Sequence, residues 1–159
     1  MDFGTICANI SKLMQNYWKV FLIEGVSTTL LLTCIAVALG TVLGTLIAIM
    51  KMSKIWPLRA LVTVYVEVIR GTPILLQLYI FYFVLPQLLP FLKLSSFMWV
   101  AIAMCVNSSA YVSEVIRSGI QAVDKGQTEA ARSLGLSEKQ TMMKIILPQA
   151  GCSGLPGAG

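Results

Sequence analysis

The chain has 159 residues, of which 57% are hydrophobic and only 12% charged, with 12 Lys and Arg against 7 Asp and Glu. Soluble domains carry about 25% charged residues, so this density cannot cover a water-exposed globule, and an ordinary soluble enzyme is excluded. The sequence holds no histidine, which removes Ser-His, Cys-His and His-metal chemistry at a stroke.

Residues 1–24 mix apolar positions with Asp2, Lys12, Lys19 and Glu24. Residues 1–20 read as an N-terminal extracytoplasmic segment. The first charge-free run, Gly25–Met50, exceeds the ~20 residues a membrane-crossing helix needs. It is too long for the ~7–15-residue core of a signal peptide. A transmembrane helix over about 25–50 is expected. Gly40 and Gly44 put a small-xxx-small pair on one face, which fits close helix packing or the general glycine content of membrane helices.

Lys51, Lys54, Pro57 and Arg59 mark a polar, basic connection. A second helix follows over about 58–85. As one straight rod it would be ~42 Å long at 1.5 Å per residue, against a ~30 Å hydrocarbon core, so its first turns project from the bilayer. Glu67 and Arg70, three residues apart, are placed to form a structural ion pair on that helix. Gly71-Thr72-Pro73 should kink or break it, and Pro86 and Pro90 close it into a loop ending at Lys93.

The third apolar run, Leu94–Ser113, predicts a helix over about 94–116. Asn107, Tyr111 and Glu114 share a face by helical spacing. Polar groups at membrane depth face protein or a water-filled path, so this face lines a pathway or serves as interhelical glue. Thr72, Gln77, Asn107 and Tyr111 are the candidates for a substrate pathway, being polar within apolar spans.

Residues 117–150 look soluble. Asp124 with Gln127 and Ser137 with Gln140 resemble capping pairs, Gly135 suits a left-handed helix end, and Pro148 should stop the second helix. Two short helices outside the membrane are expected, about 125–134 and 138–147. Ala130, Ala131 and Leu134 give the first a small apolar face edged by Glu129 and Arg132, and Met142, Met143, Ile145 and Ile146 pack the second back toward the membrane. The whole is a rigid knob suited to docking in a groove of another subunit. Residues 151–159, with four glycines, should be disordered. Cys7, Cys34, Cys105 and Cys152 match no metal spacing, and Cys34 and Cys105 read as small buried hydrophobes. No metal site is expected.

Three spans place Lys51, Lys54, Arg59, Arg117, Lys125, Arg132, Lys139 and Lys144 on one side, and Lys12, Lys19 and Lys93 on the other. The positive-inside rule makes the first side cytoplasmic and the N-terminus external. Orientation therefore accounts for the net charge without a nucleic-acid partner.

The pattern Glu129-Ala130-Ala131, three residues, Gly135, nine residues, Ile145-Ile146-Leu147-Pro148 resembles the coupling motif of ABC importer permeases. Glu67-Val-Ile-Arg70-Gly-Thr-Pro73-Ile-Leu-Leu-Gln77 and the stretch from Asn107 to Ile120 are similar to the polar amino acid uptake subfamily, whose members include histidine, glutamine, glutamate and arginine permeases. The likeness covers about residues 17–150, with a partial permease domain over 21–150.

It implies an all-α inner-membrane subunit of an ATP-driven amino acid importer. The expected fold is a type I ABC importer permease with three transmembrane helices and two short cytoplasmic coupling helices, lacking the last two helices of the family. Glu129, Ala130, Ala131, Arg132, Leu134, Gly135 and Pro148 would dock the ATPase. ATP and Mg would sit on that separate ATPase, with no cofactor held by this chain, in keeping with the absence of a GxxxxGK[ST] pattern. Further partners would be a second permease subunit, identical or related, an extracytoplasmic amino-acid-binding protein and membrane lipid.

The tail departs from the family and reads as a truncated or frame-shifted end, so a permease that assembles without transporting stands as an alternative. A membrane-anchored DNA-binding helix-turn-helix is another, as is a channel or ion-coupled transporter, which would call for intramembrane carboxylates.

Overall fold

The computed structural model describes residues 3–153, all in helices and short connections, with no strand among the described residues. The first helix, α1 (Phe3–Lys19), passes through a π-helical turn (Val20–Gly25) into α2 (Val26–Lys51). The helix thus runs unbroken across the boundary expected near residue 20 and the helix start expected near 25. No proline interrupts residues 1–56, and isolated charges such as Lys19 do not stop a helix. Asn9–Lys51 forms a 43-residue apolar helix, roughly 65 Å long at 1.5 Å per residue, more than twice the thickness of a hydrocarbon core.

The seam of the molecule is α2 against α6 (Ser96–Ala122). On α2, Ala36, Gly40, Gly44 and Ala48 are buried at four-residue intervals, forming one smooth stripe. A Cβ at Gly40 would lie 2.6 Å from the Cβ of Ser108, and one at Gly44 would lie 2.7 Å from the Cβ of Val112 and 2.8 Å from the carbonyl oxygen of Ser109. These distances permit no side chain, so the glycines serve close helix approach. Cys105 is buried in this seam, its Sγ 3.8 Å from the Ile35 carbonyl. Cys34, expected inside, faces outward.

The second apolar run is two arms rather than one rod. The first arm is α3 (Trp56–Gly71). The second comprises α4 (Ile74–Tyr79), a π-helical turn (Ile80–Val84) and α5 (Leu85–Leu88). The second arm bends away from the first by 101°. Thr72 and Pro73 are extended, as proline requires of its predecessor. Among the described residues two helices are long and apolar enough to cross a membrane, and a third crossing exists if the bent pair counts as one. Tyr65 ties α3 to α6, donating to the Val106 carbonyl at 3.0 Å with the Ser109 hydroxyl 2.8 Å away.

Beyond α6 the chain makes a compact hook from α7 (Lys125–Ser133), α8 (Glu138–Thr141), a π-helical turn (Met142–Ile146) and α9 (Leu147–Ser153), the last packed on α6. Pro148 does not end the helix as expected; the helix continues through it to Ser153, so Gly151–Ser153 is helical as well. The rest of the expected disordered tail, residues 154–159, lies outside the described residues.

The physical reason is visible at two places. At Ile80–Val84 and at Met142–Ile146, a five-residue π turn precedes a Leu-Pro pair, and the Leu amide donates to the carbonyl five residues back: Leu85 to Ile80, Leu147 to Met142. Widening the turn makes room for the proline ring, which would otherwise strike the carbonyl four residues earlier.

Candidate functional site

Three places concentrate polar groups in this apolar chain: the break between α3 and α4, the end of α2 against α6, and the hook. At the break, α3 ends with backbone carbonyls that have no helical partner. In hydrocarbon each such group costs several kcal/mol unless a side chain reaches it. Thr72 Oγ1 donates to the Val68 carbonyl at 2.9 Å. Gln77, 6% exposed, turns back and donates from Nε2 to the Ile69 carbonyl at 2.7 Å, to the Thr72 carbonyl at 3.2 Å and to Thr72 Oγ1 at 2.8 Å. Its Oε1 accepts from Asn107 Nδ2 of α6 at 3.1 Å.

Three of the four pathway candidates, Thr72, Gln77 and Asn107, thus come together, and they do so as a staple across the break. The fourth, Tyr111, is half exposed one turn along from Asn107, with the Arg70 guanidinium 5.6 Å from its ring centroid. The expected Glu67–Arg70 ion pair is not among the ion pairs of the described residues. Arg70 instead spends its charge on the Tyr111 face, a cation–π contact across α3 and α6.

Two ion pairs meet on the Glu114 carboxylate. Lys51 Nζ lies 2.9 Å from Glu114 Oε2, and Arg117 holds the same carboxylate through Oε1, its Nε at 2.9 Å. Lys51 is 10% and Glu114 17% exposed, so the pair clamps the end of α2 to α6 largely out of solvent. Glu114 was legible as part of a polar face. Its partner Lys51 lies 63 residues away, beyond any local pattern.

The hook's turn is well built. Asp124 caps α7, accepting from the Gly126 amide at 2.6 Å. Gln127 does not return to Asp124; its Oε1 accepts from Gln149 of α9 at 3.4 Å. Gly135 has φ +82°, and the Gly135 and Leu136 amides donate to the Arg132 and Ala131 carbonyls at 3.0 and 3.2 Å. This is a Schellman motif, which needs glycine at the left-handed position. Ser137 and Gln140 form a full capping box on α8. Leu134, at the apex, is 84% exposed.

Glu129, Ala130, Arg132 and Gly135 are also exposed, whereas Ala131 is buried and faces into the hook. Of the expected docking residues, Ala131 therefore supports the surface from beneath, and Pro148 stands on α9, exposed and away from a helix end. Beneath the hook an apolar cavity of about 570 Å³ is lined by Ala48, Ile49, Ile120, Met142, Met143 and Leu147, among others. The hydroxyl of Thr141 is buried with no hydrogen-bond partner. No cluster of metal-ligating side chains exists among the described residues.

Residues 40–157 match the family model described as binding-protein-dependent transport system inner membrane component. A Rickettsia typhi protein carrying the name of a glutamine transport system permease is 48% identical over 142 residues, 89% of this chain and 65% of that protein. The arginine transport system permease of Bacillus subtilis is 44% identical over 130 residues, covering 82% of this chain and 59% of the relative. The L-cystine transport system permease of the same organism is 40% identical over 136 residues, 86% and 57% of the two chains. The crystal structure of an amino acid ABC transporter with histidines superposes with a TM-score of 0.77 at 43% identity, covering 94% of this chain and 65% of that one. The chain thus spans about three-fifths of the length of these relatives.

Proposed function

The chain belongs to the family of binding-protein-dependent transport system inner membrane components, and on that footing we propose that it is a permease subunit of an ATP-driven importer of polar amino acids. The carrying observation is the hook. Its apex leucine is 84% exposed, more than any other large apolar residue among those described, and stands beside a glycine-locked turn. A leucine so exposed on a rigid turn gains by being buried in an apolar groove of a partner protein. Glu129, Ala130, Arg132, Leu134 and Gly135 dock a cytoplasmic ATPase, with Ala131 as their support. ATP and Mg belong to that ATPase, and this chain is not an enzyme.

The excess of Lys and Arg flanking the hook and the α2–α3 connection puts that side in the cytoplasm and the N-terminus outside. A second permease subunit completes the pathway, and an extracytoplasmic binding protein delivers the solute. Relatives named for glutamine, arginine and L-cystine share the α-amino-acid headgroup, so the solute is an amino acid. Tyr111, Asn107 and the guanidinium of Arg70, which rests on the Tyr111 ring and has no ion pair among the described residues, form the pathway-facing set, with Arg70 attracting a carboxylate. Thr72 and Gln77 hold the break that positions them.

Membranes containing this chain with Leu134→Cys and the partner ATPase test the docking. A disulfide crosslink from position 134 to an engineered cysteine in the ATPase groove is expected, along with loss of ATPase co-purification in Leu134→Asp. Undiminished co-purification of the ATPase with Leu134→Asp would overturn the reading.

A further inference from the structure

At the end of the bundle that carries the Lys51–Glu114–Arg117 cluster, the ends of α2, α3 and α6 enclose a cleft of about 380 Å³, lined by Lys51, Met52, Arg59, Thr63, Arg117 and Gln121. That volume falls within the ~300–1,000 Å³ of small-molecule sites. Three cations face it. Lys51 and Arg117 share one carboxylate, Glu114, and the Arg59 side chain has no hydrogen-bond or ion-pair partner among the described residues. Arg117 also donates from Nη1 to Gln121 Oε1 and feels the charge of Glu67, so the cluster holds three cations against two carboxylates and keeps N–H donors on Lys51 and Arg59 that meet no acceptor among the described residues. Lys51 and Arg117 are 10% and 28% exposed, so their unused donors are partly removed from water and gain by meeting an anion.

The cleft also lies where the ends of the candidate spans come together. The long span ends at Lys51, Arg59 lies in the first turn of the bent pair, and Arg117 stands in the last turns of the third apolar helix. Trp56 is 71% exposed one turn before Arg59, in the position of an interfacial aromatic anchor. Basic pockets between spans at this depth suit phospholipid headgroups.

We infer that the Lys51–Arg59–Arg117 cleft binds the phosphate of an anionic phospholipid, with Arg59 as the principal unoccupied donor. One phosphate there touches α2, α3 and α6 together and ties the start of α3 to the clamped pair. The inference does not depend on which solute crosses the membrane or on the ATPase.

The test is lipid retention by the full chain in detergent, read by native mass spectrometry with phosphatidylglycerol and phosphatidylcholine at equal concentration. Phosphatidylglycerol adducts should predominate, and Arg59→Gln should cut that preference about fivefold, the effect of one cation near a lipid surface. Arg59→Lys should retain most of it, and Lys93→Gln, at the opposite end of the spans, should leave it unchanged. Equal retention of the two lipids, or a preference that survives Arg59→Gln, overturns the assignment. Inorganic phosphate that displaces the lipid at the lipid's own concentration also overturns it, by making the cleft a free-phosphate site.

Discussion

Gln77 donates its side-chain amide to the carbonyl of Ile69, eight residues earlier and on the other side of the Thr72-Pro73 break, at 2.7 Å. The contact closes the end of α3 with a side chain from α4, so the break is held by a bond that crosses it. Gln77→Leu strips this donor from two backbone carbonyls and leaves Asn107 without its acceptor. A loss of about 1–3 kcal/mol follows from unsatisfied buried polar groups. The 101° angle should also relax, which electron-spin distances between labels at positions 56 and 88 would register. An unchanged distance distribution in Gln77→Leu would mean that proline alone sets the bend.

Gly44→Ala should separate α2 from α6. Its new Cβ meets a backbone oxygen at 2.8 Å, which cannot rotate away, and overpacking of this kind costs about 1–3 kcal/mol. Gly71→Ala is the control, since nothing lies within 4 Å of a Cβ there. Thermal unfolding in detergent should rank Gly44→Ala well below Gly71→Ala.

The Lys51–Glu114 pair is largely shielded, so removing one partner leaves the other's charge poorly compensated. Lys51→Met and Glu114→Gln should each destabilise by about 3 kcal/mol, the lower end of the cost of breaking a buried pair. The double variant should lose less than their sum, with a coupling of about 0.5–3 kcal/mol. A double-mutant cycle with strict additivity would show the contact to be energetically idle.

Thr141 hides a hydroxyl with no partner. Thr141→Val removes it at nearly constant shape, and stability should rise by about 1 kcal/mol, the lower range of the cost of an unsatisfied buried group. A fall in stability would reveal a hydrogen bond that the hydroxyl makes in solution.

Gly135→Ala places a Cβ at φ +82°. About 1 kcal/mol of local stability should be lost, with faster hydrogen exchange at the Gly135 and Leu136 amides than at α6. Exchange unchanged at both amides would sink the claim that this turn depends on glycine.

Much of this was legible in the residues because it is local. Gly135, the Ser137–Gln140 box and the break at Thr72-Pro73 depend on neighbours within a few positions, and backbone sterics decide them. The Gly40/Gly44 spacing was legible as a face, but its occupant, Ser108 and Val112, was not. Gln77 read as polar in an apolar helix, which fits lining or stapling equally well; only the direction of its amide separates them. Glu67 and Arg70 illustrate the opposite failure. Their spacing permits a pair, but Tyr111 on α6 offers Arg70 an aromatic face that no pattern within α3 contains. Pro148 misled because a proline's effect depends on the turn before it, and a π turn has no plain signature in residue type.

The stripe of Ala36, Gly40, Gly44 and Ala48 has a thermodynamic consequence of its own. Burying glycine or alanine freezes no side-chain rotamers, whereas leucine or isoleucine forfeits about 0.5–1 kcal/mol of rotamer entropy each. The α2 side of the seam therefore comes together with almost no loss of side-chain freedom. In lipid, where apolar surface gains nothing by leaving its solvent, that low entropic cost lets two smooth faces adhere through contact alone.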